Sequence, residues 1–187
     1  TVLCGQLEGH PYRDVFSTVY SDDEEGGRFA AHAMKERGRK DIVAVLGPQD
    51  NPAVVDRLRG YRAVLGEDLP DANVIYTGWN SGDGYQAMRQ ILARKIAFDG
   101  VLCGSDRIAA GVITALNEAG LSVPADVSVV GFDDHEIATH CVPALTTVRQ
   151  PLREEGHMAA NIALDMIKGA EPTTTVMHMQ LVQRDSL

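Results

Sequence analysis

Basic residues, cysteines and long apolar runs are all scarce in this 187-residue sequence, and each scarcity excludes something. Lysine and arginine number 17 against 26 acids, a net charge of −9, and they form no cluster. Nucleic-acid binding depends on cations that displace counterions from phosphates, so these residues do not themselves grip DNA or RNA. The three cysteines, Cys4, Cys103 and Cys141, have no metal-ligand spacing, which excludes a cysteine metal centre. Their expected role is that of small buried hydrophobes in a reducing compartment. No apolar run approaches the ~20 residues of a membrane helix, and no basic-then-apolar signal pattern opens the sequence, so a cytoplasmic protein with no membrane partner is expected. The sequence does open inside a strand-like run at Thr1–Cys4, as though an upstream portion were missing.

Catalytic signatures are absent as well. There is no GxSxG elbow, HExxH pair, phosphate-binding glycine loop or GxGxxG turn, so no catalytic residue, metal or cofactor is expected. The six histidines, His10, His32, His135, His140, His157 and His178, are scattered. Even His135 and His140, close to an aspartate pair, read more simply as loop residues than as an acid–base couple.

What remains is an ordinary soluble composition, 44% hydrophobic and 23% charged, arranged in a repeating order. Short strands are expected at Thr1–Gly5 and Ser17–Tyr20, and a helix begins with Asp22 and Asp23 and stops at Gly38. Ile42–Leu46 is a strand, followed by a helix with the stripe Val54, Leu58, Tyr61 and Leu65. The unit recurs as strand Asn73–Thr77 with stripe Tyr85, Met88, Leu92, and as strand Gly100–Cys103 with stripe Ile108, Val112, Ala115, Leu116, Ala119. Val127–Val130 leaves through Phe132, Asp133 and Asp134, and a further run, Leu145–Val148, is closed by Pro151. A helix then runs to Lys168-Gly169, and Thr175–Val182 alternates like one last strand. Strand-loop-helix units at this spacing require right-handed crossovers, hence a doubly wound parallel α/β sheet.

Parallel strands deliver their exit loops to one edge, where open α/β sheets bind ligands. Those loops and the helical turns after them carry Asp50, Asn51 and Arg57, then Trp79 and Asn80, then Ser105, Asp106 and Arg107, then Asp133 and Asp134. Carboxylates, a guanidinium, amides and an indole suit a polyol, whose adjacent hydroxyls take paired hydrogen bonds while an aromatic face covers the ring. Each has a plainer alternative. Ser105 or Asp106 is a natural helix N-cap, Arg57 is a helix charge able to pair with Asp50 or Glu67, Trp79 could be core, and Asp134 could cap Glu136–Thr139.

The stretches GSDRIAAGVITALNEAGLSVPADVSVVGFDD, PALTTVRQP and LVQRDS, together with SDDEEGG, GRKDIVAVLGP and RLRGYRAVL upstream, resemble the effector-binding module of the lactose- and galactose-repressor family of bacterial regulators. LTTVRQP and the terminal RDS separate the repressors from the related secreted sugar receptors. The resemblance implies a periplasmic-binding-protein-like fold of two lobes with effector in the cleft between them. It places 22–143 and 173–187 in a complete C-terminal lobe, and 1–21 and 144–172 in a partial N-terminal lobe. The rest of that lobe and a DNA-binding helix-turn-helix would lie upstream. It also implies a homodimer, with the contact surface expected around the helix Asp106–Ala119.

Residue by residue, the resemblance makes Arg57 and Asp133 effector contacts and Trp79 the ring that stacks on the ligand. Ser105 stands where some members use asparagine for a sugar hydroxyl. Asn51 stands where a purine-binding member uses arginine, which weighs against a purine. Gly5-Gln6 takes the place of a first-lobe acid. The expected function is therefore ligand sensing in a transcriptional regulator, with a sugar or sugar derivative as effector and operator DNA as the partner of the absent segment. The alternatives are a secreted sugar receptor of a transporter and, behind it, an enzyme acting on a sugar phosphate or nucleotide.

Overall fold

A computed structural model describes residues 1–5 and 15–187, so Gln6 and His10 lie outside the described residues. The β-branched runs form β1 (Val2–Cys4), β2 (Ser17–Ser21), β3 (Ile42–Leu46), β4 (Val74–Tyr76), β5 (Gly100–Cys103), β6 (Ser128–Asp133), β7 (Thr146–Arg149), β8 (Thr174–Met177) and β9 (Gln180–Val182). Between them lie α1 (Asp23–Glu36), α2 (Pro52–Leu65), α3 (Ser81–Arg94), α4 (Asp106–Glu118), α5 (Ile137–His140) and α6 (Leu152–Ile167).

These elements belong to two units: Thr1–Asp22 with Gln150–Met179, and Asp23–Arg149 with Gln180–Leu187. The smaller unit is a parallel sheet in the order β1-β2-β8, with α6 packed on β1 and β2. The larger is a six-stranded sheet in the order β4-β3-β5-β6-β7-β9, parallel except for β9, which runs antiparallel to β7 at the edge. Successive residues of a strand point to opposite faces, and here both faces are covered. Val43, Val45, Val101, Cys103 and Val129 join the cluster formed with Met88 and Ile91 of α3 and Ile108, Val112 and Leu116 of α4. The alternate residues Ile42, Ala44, Leu46, Leu102, Val130 and Phe132 are equally buried. They face the pair α1 and α2: a Cβ on Gly100 would touch Ile42 and Met34, and the Tyr61 hydroxyl donates to the carbonyl of Cys103 at 3.3 Å.

The boundaries expected at 143/144 and 172/173 fall instead at 149/150 and 179/180. Backbone pairing is the reason. β7 is in register with β6, Val130 opposite Thr146, and so stays with the larger sheet. The closing run expected as one strand breaks at His178 and Met179: β8 pairs with β2 in the small sheet, and β9 with β7 in the large one. Asp22 likewise joins the smaller unit, its N–H donating to the carbonyl of Met177 at 3.0 Å. Of the cysteines, Cys103 is buried as expected, Cys141 is partly buried, and Cys4, at the end of a short strand, is exposed.

Candidate functional site

Sheet order decides which loops become neighbours. β4, β3, β5 and β6 are consecutive, so the segments following them lie side by side on the rim of the larger unit. The rim is tied across by backbone bonds, from Thr77 N to Leu46 O and from Gly104 N to Val45 O, both 2.8 Å.

Arg57 is the centre of this rim. It is only 4% exposed, held in the second turn of α2, and each guanidinium nitrogen has a partner. Its Nε donates to Asp23 Oδ1 at 2.7 Å, its Nη1 to the carbonyl of Gly104, and its Nη2 lies 3.6 Å from Asp133 Oδ1. The guanidinium carbon sits 3.7 Å from the centroid of the Phe132 ring, a cation–π contact within buried surroundings. The expected local partners Asp50 and Glu67 are not among these; Arg57 is paired across α1 and β6. A buried cation needs such partners, because the desolvation of an uncompensated charge costs several kcal/mol, on the order of 3–5 when one partner is removed.

Asp133 ends β6 with its side chain 32% exposed, so of this pair the carboxylate is the member open to solvent. Its backbone has φ 107° and that of Asp134 φ 54°, both in the region that residues with a Cβ seldom occupy. Such a conformation carries strain that the surrounding structure has to hold in place. Asp134 does not cap the short α5. Its carboxylate accepts from Arg149 Nε at 2.6 Å and from Arg184 Nη2 at 2.5 Å. Burial by itself would raise the Asp134 carboxyl, but these two arginines outweigh it and hold the group below its usual range.

Trp79 is partly buried between the two expected alternatives. Its ring packs against the core cluster and against Gly47, where a Cβ would come within 2.5 Å of it. The chain of contacts Asp133, Arg57, Gly104, Gly47 and Trp79 therefore runs continuously along the rim, since Gly104 itself abuts Gly47 and Leu46. Asn51 and Ser105 both cap helices: Asn51 Oδ1 accepts from Ala53 N at 3.0 Å, and Ser105 Oγ accepts from Ile108 N at 3.3 Å. Each retains a donor beyond the bond that caps its helix. Asp106 is fully buried, and burial raises its carboxyl to about 7 even though Thr147 and the backbone of His135 donate to it. The two histidines have local roles, His135 Nδ1 accepting from Ile137 N and His140 Nδ1 lying 2.9 Å from the carbonyl of Glu136. Among the described residues no group of acids, histidines and cysteines could hold a metal ion.

Sequence reasoning missed Asp23, Phe132 and the pair Arg149 and Arg184. Asp23 reads as an ordinary acid in a helix first turn, and nothing local reveals that α1 and α2 pack closely enough to aim it at Arg57.

Residues 31–187 match the family model described as a periplasmic binding protein-like domain. The repressor PurR of Escherichia fergusonii is 36% identical over 184 residues, 96% of this chain and 54% of that protein. The chain thus spans about half the length of the curated relatives it matches. Among solved structures, a complex of the transcriptional regulator CelR with cellobiose is 36% identical, covering 100% of this chain and 58% of that one, with a TM-score of 0.92. A LacI family regulator from Enterococcus faecalis with bound ribose is 26% identical, covering 99% and 76%, with a TM-score of 0.86. These relatives are regulators and not enzymes, and no helix among the described residues is long and apolar enough to cross a membrane. The chain belongs to the periplasmic binding protein-like domain family, in the effector-binding branch found in LacI-family transcriptional regulators.

Proposed function

We propose that the chain is the ligand-sensing part of a cytoplasmic transcriptional repressor and that its effector is an uncharged sugar or sugar derivative. The observation that carries this is the pairing of a buried, already charge-matched Arg57 with the partly open carboxylate of Asp133. Asp23 and Asp133 neutralise Arg57, so the rim offers hydrogen bonds without the net positive charge that would draw a phosphate or carboxylate ligand. Hydroxyls fit such a surface, with Trp79 along one side and Asn51 and Ser105 supplying donors. The CelR complex holds cellobiose, and the Enterococcus faecalis regulator holds ribose.

In this reading the effector shifts the regulator between two states in proportion to its difference in affinity for them. Operator DNA is bound by a helix-turn-helix outside these residues, in a homodimer whose contact surface includes α4. A second reading, in which the effector is a nucleobase, rests on the resemblance to a family that includes a purine-binding member, and Asn51 in place of that member's arginine weighs against it.

Calorimetric titration with cellobiose, ribose and a panel of nucleobases separates the two. A saturable response to a sugar is expected, weakened about 10- to 100-fold in Asp133→Asn with the fold retained, the loss expected for a hydrogen bond to a charged acceptor. Binding of nucleobases alone, or full sugar affinity in Asp133→Asn, overturns the sugar reading.

A further inference from the structure

Asp106 plays no part in the effector reading, yet its side chain is fully buried in the first turn of α4. Both oxygens are occupied by the turn that follows β6 and by β7. Oδ2 accepts from the backbone N–H of His135 at 2.7 Å, and Oδ1 accepts from the Thr147 hydroxyl at 2.5 Å. Thr147 Oγ1 in turn accepts from the backbone N–H of Asp134 at 3.4 Å. The two amides that follow Asp133 are thus tied, directly or through one hydroxyl, to a single buried carboxyl. The strand leaves room for it, since a Cβ on Gly131 would come within 2.3 Å of Asp106 Oδ1.

Those amides belong to the turn with φ 107° at Asp133 and 54° at Asp134. Such a conformation persists only where its surroundings over-determine it. We propose that Asp106 is a positioning residue for Asp133: through Thr147 and the amides of Asp134 and His135, it holds the strained turn that keeps the Asp133 carboxylate beside Arg57. This rests on Asp133 being an effector contact. The asparagine side chain can make both ties, accepting from His135 N and donating to Thr147 Oγ1, whereas alanine makes neither and valine at 147 removes the bridging hydroxyl.

The test uses the full chain, with amide hydrogen exchange read through residues 129–137 and cellobiose affinity read by calorimetry. In Asp106→Ala, exchange at Asp134 and His135 is expected to speed about tenfold or more while Val129 and Val130 keep their protection. Cellobiose affinity falls by a similar factor. Thr147→Val, which keeps the side-chain shape, gives the same effect at Asp134 and covers the case in which the alanine variant fails to fold. Asp106→Asn restores both measurements. Unchanged exchange at both amides in the alanine and valine variants overturns the proposal, as does faster exchange with undiminished affinity. If cellobiose leaves the unmodified chain unresponsive, the sugar reading fails, and the exchange comparison alone decides whether Asp106 holds the turn.

Discussion

Asp106 and Asp134 lie on one rim and their carboxyls are shifted in opposite directions from the usual aspartate range, because one is buried among uncharged donors and the other is gripped by two arginines. Burial raises the Asp106 carboxyl to about 7, above the roughly 3.9 of an unfolded chain. The folded state therefore holds the extra proton between those values. The stability that comes with it is complete below the unfolded value and is lost as pH rises through about 7. Asp134 has the reverse sign: its contribution is present above the unfolded value and is lost as pH falls through its lowered folded value. Urea denaturation from pH 5 to 8 is expected to show Asp106→Asn flattening the first slope, removing about 2–3 kcal/mol of the fall in stability across that range. Arg57→Ala, by contrast, leaves Asp23 and Asp133 without their cation, and a loss of about 3–5 kcal/mol is expected in the same denaturation. Little of this was visible in the sequence. Asp133 and Asp134 are adjacent identical letters, and only the positions of Arg57, Arg149 and Arg184 give them different environments.

At the scale of elements, the helices are fixed in pairs by the absence of side chains. A Cβ on Gly111 of α4 would lie 1.9 Å from the carbonyl of Ser81 at the start of α3, and one on Gly60 of α2 would lie 2.2 Å from that of Glu24 in α1. Both obstacles are backbone, so neither can move aside without separating two helices. Gly111→Ala raises helix propensity by about 1 kcal/mol on an isolated helix, yet thermal denaturation is expected to show a net loss. Forcing that contact costs about 1–3 kcal/mol or more, which outweighs the gain. The same close packing of α1 and α2 places Asp23 against Arg57. Strand and helix positions followed from periodicity because hydrophobic spacing is local. The break at His178 and Met179 did not, because an alternating run reads as one strand whichever sheet each half joins.

For the whole molecule, the buried apolar side chains are unevenly shared. Among those described, Val19 and Met179 are the buried hydrophobics of the smaller unit; the others lie in the larger one, and α6 buries no residue fully. Each fully buried Val, Leu or Ile contributes ~1.5–3 kcal/mol, so the two units differ greatly in local stability. Hydrogen exchange on this chain is expected to show weak protection in β1, β2 and β8 and strong protection in β3, β5 and β6. Equal protection in the two sheets would contradict that distribution. By itself the sequence determined the α/β class, the parallel order implied by crossover spacing, and the set of loops reaching one edge, since these depend on local periodicity and chain connectivity. Tertiary structure alone decided that Arg57 is buried rather than solvated, that Asp134 serves two arginines rather than a helix end, and that Asp106 is hydrogen-bonded to His135 N and Thr147. Those outcomes depend on which distant residues share a dielectric environment, and that is set by packing between elements far apart in the chain.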